Sequence, residues 1–339
     1  MNHIFDIPAD LDTPTSAFLK LSPLNPRFLL ESVEHGERVG RYSFIGFGDG
    51  LDVVARDGRV TAGDSTLETD GSIADLMQAL RSALERTPKP LPVSDDVPFR
   101  GGLVGAVGFD VSYRLPGAGH TTDPGLEAAF YGPKSILAFD HLSRRAALLH
   151  DGPEEQRSEL RSEVIRLLAG GIPERNGHTG SFEPADSTMD RDGFMRSVES
   201  AKSHIAAGDV YQLVLSVGFH GNADVDPFDV YRSLRLLNPS PYMYCIDLDG
   251  IQIIGSSPEA LVRLTGRRAE LRPIAGTRPR MPDPDEDRSA ERELLADAKE
   301  AAEHVMLVDL ARNDLGRVAV PGSIRVDPYR AIERYSHVM

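Results

Sequence analysis

Short apolar runs broken by turn residues mark residues 26–60 as strands. Phe28-Leu29-Leu30-Glu31-Ser32-Val33 is one such run, and Arg41-Tyr42-Ser43-Phe44-Ile45-Gly46 follows after a turn at His35-Gly36-Glu37. The period then changes. Leu76, Leu80 and Leu84 recur at fourfold spacing, which predicts a helix over residues 73–86, and residues 158–168 carry a second helical pattern. Residues 170–191 are rich in Gly, Pro, Ser and Asp and make the best linker in the chain. Beyond it, Phe194, Val198, Ala201 and Ile205 predict an amphipathic helix that Gly208 closes. Residues 210–217 predict a buried strand, apolar except for Gln212 and Ser216 on one face. That polar pair calls either for partners inside a core or for a pocket wall. Residues 289–310 predict one long helix with Leu294, Leu295, Ala298, Ala302, Val305 and Met306 turned inward.

With 339 residues the chain has ample length for a core, and its 40% hydrophobic and 26% charged fractions are those of a soluble globular protein. A net charge of −15 repels a phosphate backbone over most of the surface, so no nucleic-acid partner is expected. An anionic substrate would need local arginines to overcome that field. Cys245 is the only cysteine, which forbids an internal disulfide and fits a reducing compartment. The amino-terminal residues carry neither the basic start nor the apolar core of a signal peptide, and no run reaches the length of a membrane span. A cytoplasmic protein without a membrane partner is expected.

Three segments hold candidate chemistry. Gly101-Gly102-Leu103-Val104-Gly105-Ala106-Val107-Gly108 suggests a dinucleotide phosphate loop, but Leu115-Pro116-Gly117 break the helix that such a loop requires. Strand glycines at close sheet contacts are the better account. Residues 271–280 pack two prolines, one glycine, one threonine and three arginines, a composition suited to a rigid loop offering N–H groups, a hydroxyl and guanidinium forks to a carboxylate. In the long carboxylate helix Glu300 and Glu303 share a face, with His304 one turn beyond Glu300. Oxygen donors without cysteine suit a hard ion such as Mg²⁺, although by spacing alone an acidic pair on a helix is usually just a solvated face.

These segments together resemble a known family. Pro273-Ile274-Ala275-Gly276-Thr277-Arg278-Pro279-Arg280, Glu303-His304-Val305-Met306-Leu307-Val308-Asp309-Leu310-Ala311-Arg312-Asn313-Asp314, Asn238-Pro239-Ser240-Pro241-Tyr242-Met243 and Leu29-Leu30-Glu31-Ser32 are similar to motifs of the anthranilate synthase large subunits, over nearly the whole chain. The resemblance implies an α+β fold with large antiparallel sheets packed against each other and helices outside. It implies a lyase that turns chorismate and ammonia into anthranilate and pyruvate for tryptophan synthesis, with Mg²⁺ as cofactor. The ammonia would come from a glutamine amidotransferase subunit in a hetero-oligomer, and tryptophan would inhibit.

Residue by residue, Glu303 matches the family's metal-binding glutamate, and Gly276 and Thr277 match the loop that contacts chorismate. Gln212 stands where water-activating relatives carry a lysine base, and Ala275 where aminodeoxychorismate synthases carry a nucleophilic lysine. Gln212 and Thr277 are the expected catalytic positions. Glu31, Ser32, Pro241, Tyr242 and Met243 match the family's tryptophan pocket, where Ser and carboxylate take the amino group while Pro, Tyr and Met pack on the indole. The family continues past the position of Met339 into a catalytic histidine and a second metal-binding glutamate. The resemblance therefore implies a C-terminally incomplete fragment, inactive alone. The expected division is an N-terminal region at 1–175 carrying the regulatory motif, a linker at 176–191, and a truncated chorismate-binding region at 192–339. Aminodeoxychorismate synthase and a non-catalytic tryptophan-binding module are the alternatives.

Overall fold

A computed structural model describes residues 4–33, 40–69, 72–114, 125–174, 180–248, 250–335 and 337–339. The turn expected at His35-Gly36-Glu37 and the break at Leu115-Pro116-Gly117 lie outside them. The chain divides into a larger unit, residues 1–173 with 231–339, and a smaller one, residues 174–230.

The larger unit begins with β1 (Ile7–Pro8), α1 (Pro14–Lys20), β2 (Pro26–Glu31), β3 (Tyr42–Phe47), β4 (Leu51–Arg56), β5 (Arg59–Ala62), β6 (Ser65–Glu68) and α2 (Ile73–Arg86). It continues through β7 (Val104–Val107), β8 (Leu126–Gly132), β9 (Ser135–Asp140), β10 (Arg145–His150) and α3 (Glu154–Ala169). The smaller unit holds β11 (Ser181–Phe182), β12 (Asp186–Ser187), α4 (Arg191–Ala207), β13 (Phe219–His220) and β14 (Ala223–Asp224). After α5 (Pro227–Leu237) come β15 (Tyr242–Asp247), β16 (Gln252–Ser257), β17 (Arg263–Thr265), β18 (Arg268–Glu270), α6 (Pro284–Ala296) and α7 (Ala298–Gly316).

Two antiparallel sheets organise the larger unit, seven strands in the order β1-β10-β9-β3-β2-β15-β16 and five in the order β6-β5-β4-β8-β7. The seven-stranded sheet buries every residue of its interior strand β9, which explains why Ser135-Ile136-Leu137-Ala138-Phe139-Asp140 shows no alternation. Phe28 and Ile246 from that sheet, with Leu248 just beyond β15, pack on Ala129 and Tyr131 from the other, so the sheets share a core. Each such large apolar side chain stabilises the fold by roughly 1.5–3 kcal/mol. The fold is thus α+β with packed antiparallel sheets and helices, as the resemblance implies. Gly105 is the strand glycine expected in β7. A Cβ there would lie 2.0 Å from the Ala129 carbonyl, so only glycine allows β7 to approach β8.

Helix α2 has the expected bounds and is capped by Ser72, whose Oγ accepts from the Asp75 N–H. Its inward residues are Leu76, Ala79 and Ala83, while Leu84 is half exposed. A strict fourfold repeat drifts off a face of 3.6-residue period, and alternating steps of three and four stay on it. In the smaller unit α4 ends at Gly208 as expected, with φ of 81°.

Two expectations are corrected. Residues 210–217 form no strand and are largely exposed; Tyr211 and Val214 are almost bare. β-branched composition makes a strand only when a neighbouring strand supplies hydrogen bonds, and among the described residues none pairs here. The single helix expected over residues 289–310 is two helices. Asp297 takes an extended conformation (ψ 113°) and its Oδ1 accepts from the N–H groups of Lys299 and Glu300, so it ends α6 and caps α7. With the break, Leu294 is buried, Leu295 and Val305 are 40% and 44% exposed, and α7 has no fully buried residue.

Candidate functional site

The Arg-rich loop is fixed by backbone pairing. Arg278 N–H donates to the Met339 carbonyl at 3.0 Å, Met339 N–H returns to Arg278 at 2.8 Å, and Arg280 N–H donates to the His337 carbonyl at 2.9 Å. Its guanidinium groups do not wait for a ligand. Arg278 donates from Nη2 to Asp297 at 3.0 Å and from Nε to Glu293 at 3.2 Å. Arg280 grips Asp287 through Nε and Nη2 and gives Nη1 to the Tyr335 carbonyl at 2.8 Å, while Arg272 pairs with Glu333. The expectation of guanidinium forks for a carboxylate is therefore corrected. The reason is electrostatic: in an acidic chain Arg278 and Arg280 lie beside α6 and the cap of α7, which are dense in carboxylates, and pair there, while Arg272 meets Glu333. These arginines build the loop.

What the loop offers outward is backbone and Thr277. Residues 273–277 form one wall of a cavity of about 350 Å³. The others are residues 238–240, Pro258 and Glu259 beyond β16, Leu294 and Leu295 of α6, Glu300 and His304 of α7, and parts of residues 330–339. That volume suits a small-molecule ligand. Gly276 is required at its position. Its φ is 80°, and a Cβ would meet Leu294 Cδ1 at 3.0 Å and Glu300 Cβ and Oε2 at 3.3 Å. The structure thus brings Gly276, Thr277 and Ala275 together with Glu300 and His304 around one space.

A residue without an earlier signal also stands there. Burial, together with the nearby Glu333 carboxylate, pushes Glu259 above the ordinary carboxyl range, against the opposing pull of Arg272. A cavity carboxyl that holds its proton to higher pH is a candidate acid. The sequence cue was an acid placed directly after Pro258 where a strand ends, which is faint without the cavity.

Glu303 is partly buried on α7 but lies outside the cavity lining, and Glu300 is one turn earlier within it. Among the described residues no group of three His, Cys, Asp or Glu side chains gathers to hold a metal. This donor set fits an ion that takes one or two carboxylates and keeps water or substrate oxygens for the rest, as Mg²⁺ does.

Of the residues expected to bind tryptophan, Glu31 and Met243 are set opposite each other by pairing of β2 with β15. Alternation sends Tyr242 to the other face. Glu31 is buried, and its Oε2 accepts from the Tyr231 hydroxyl and, at 3.2 Å, from Arg235 Nε. Burial and the Glu31 charge push the Tyr231 hydroxyl far up, so it remains a donor. Ser32 Oγ is buried without a hydrogen-bond partner among the described residues. Gln212 belongs to the smaller unit and is exposed.

Comparison with known proteins bears on this arrangement. The family of chorismate binding enzymes matches residues 25–339. The chain is 42% identical over 341 residues to anthranilate synthase component 1 of Thermus thermophilus, covering 98% of this chain and 71% of that protein. It is 41% identical over 355 residues to the protein of the same name from Streptomyces coelicolor, covering 97% of this chain and 65% of that one. The crystal structure of anthranilate synthase component I from Streptococcus pneumoniae superposes with a TM-score of 0.72 at 28% identity, over 91% of this chain and 70% of the other. The chain spans about two thirds of the length of these relatives.

Proposed function

The chain belongs to the chorismate binding enzymes, and on that premise we propose that it acts as the chorismate-using component of an anthranilate synthase. Chorismate and ammonia give anthranilate, pyruvate and water. The observation that carries this reading is the convergence of Gly276, Thr277 and Glu300 on one small-molecule cavity.

In this reading the N–H groups of residues 275–277 and the Thr277 hydroxyl hold a substrate oxygen. Glu259, its carboxyl pushed above the ordinary range by partial desolvation and by Glu333, supplies the proton that the departing ring hydroxyl needs. Glu303, with Glu300 one turn earlier in the cavity wall, would hold Mg²⁺. The ion would screen the substrate's carboxylate and the charge that develops as the enolpyruvyl group leaves. Ala275 in the cavity wall offers no amine for a covalent route, and Gln212 offers no base for water. Both residues support amination over hydration, isochorismate or salicylate chemistry, and over aminodeoxychorismate synthesis.

Ammonia from a glutamine amidotransferase subunit, hence a hetero-oligomer, and a cytoplasmic location belong to the same proposal. No helix among the described residues is long and apolar enough to cross a membrane. Inhibition by tryptophan at Glu31, Ser32, Pro241 and Met243 is proposed, with Tyr242 left out because it lies on the other face of β15. Glu31 already serves Tyr231 and Arg235, so a ligand's ammonium group competes with them there, and the unpartnered Ser32 Oγ adds a second contact. The division into regions 1–175, 176–191 and 192–339 is kept as a reading of the sequence alone.

Calorimetric titration of chorismate with Mg²⁺ present tests the cavity assignment. Binding that is weakened by Thr277→Ala and unaffected by Tyr211→Ala on the smaller unit is expected. Equal binding by both variants would remove the cavity from the account.

A further inference from the structure

Glu31 holds two flanks of one turn. Its backbone pairs with Met243 in β15, and its buried carboxylate takes the hydroxyl of Tyr231 and the guanidinium of Arg235 from α5. Between those flanks lie residues 238–240, which form a wall of the cavity. The turn is tied on both sides. The Ser240 carbonyl accepts from Val33 N–H at 3.2 Å, one residue past Ser32. Ser256 Oγ donates to the Asn238 carbonyl at 2.6 Å and lies 2.8 Å from Ser240 Oγ.

Apolar residues would anchor α5 without the cost of desolvating a carboxylate, so a buried acid with two directional donors sets orientation more than strength. We propose that Tyr231 and Arg235 are positioning residues, which place the cavity wall at residues 238–240 by clamping Glu31. Insofar as this concerns regulation, it rests on the reading of Glu31 and Ser32 as a ligand pocket and of the cavity as the chorismate site. A ligand ammonium group arriving at Glu31 competes with Arg235 and Tyr231 for the same carboxylate oxygen. The helix end is then released, the wall shifts and chorismate binds less well. By linkage, chorismate in the cavity weakens the ammonium ligand by the same factor.

The test is amide hydrogen exchange on the whole chain, comparing wild type with Tyr231→Phe and Arg235→Lys. Tyr231→Phe keeps volume and removes only the donor. Exchange at Val33 and Asn238 is expected to quicken by at least about tenfold in Tyr231→Phe and by less in Arg235→Lys, with β4 and β8 unchanged. Unchanged exchange at Val33 and Asn238 would overturn the proposal, and so would equal acceleration across both sheets, which is the mark of a merely structural role. If Tyr231→Phe does not fold, the same comparison on Arg235→Lys decides. A second readout separates this inference from the functional reading. Wild-type chain that binds no tryptophan would end the pocket reading, while exchange at Val33 and Asn238 would still decide the clamp.

Discussion

Arg278 reaches Asp297 at 3.0 Å, and the same aspartate caps α7 through the N–H groups of Lys299 and Glu300. One carboxylate thus joins the loop that carries Thr277 to the helix that carries Glu300 and Glu303. The break between α6 and α7 sits where the loop needs an anchor.

This predicts a specific acid dependence. The Glu300 N–H and then the Arg278 guanidinium hold Asp297 below its ordinary value of 3.8. A depressed carboxyl pKa gives stability that is present above the unfolded value and lost as pH falls through the folded one. Asp297→Ala is expected to melt below wild type at about pH 6, with the gap narrowing as pH falls below the ordinary carboxyl value and through the lower folded one. Thermal melts monitored by circular dichroism check this, and a gap that does not narrow on acidification would contradict it.

Gly276→Ala forces a side chain into the left-handed region beside Leu294 and Glu300. A loss of roughly 1–2 kcal/mol in stability is expected from the backbone alone. Urea unfolding measures it, and chorismate titration should show weaker binding as the loop retreats from Glu300.

Thr277→Ala removes one neutral hydrogen-bonding group and leaves the loop's ion pairs intact. A drop of roughly tenfold in kcat/KM with an unchanged melting temperature is expected, and Thr277→Ser should restore most of it.

Glu259→Gln tests the proton donor. Because burial and Glu333 raise its pKa, the active protonated form persists to higher pH than an ordinary carboxyl allows and is lost as pH rises through the raised value. The variant should lose about 10²–10⁴ in kcat. It should also lose the alkaline limb of the pH profile that this carboxyl sets. A variant with the wild-type limb would assign the proton to another group.

Much of this architecture is written locally. The apolar run Phe28-Leu29-Leu30 and the helices after Ser72 and Asp190 follow from period and caps that neighbours do not override. Residues 210–217 show the limit, because a strand is a property of two segments and composition names only one. The break at Asp297 was readable as an Asx cap, but the apolar period runs through it and masks it. In the site, Gly276 and Thr277 stand out in sequence because proline and glycine confine the loop. The pairing of Arg272, Arg278 and Arg280 with acids up to 61 positions away is set by the fold and has no local signature. Glu259 likewise gains its raised pKa from desolvation in the fold and from Glu333, a neighbour in space only.

Product analysis tests the central claim most directly. Chorismate is incubated with ammonium, Mg²⁺ and the protein expressed from its complete reading frame, and the products are resolved by chromatography with fluorescence detection. The account expects anthranilate and pyruvate in equal amounts, both lost in Glu303→Gln. Isochorismate, salicylate or aminodeoxychorismate as the product, or chorismate left unchanged by a folded protein, would contradict it.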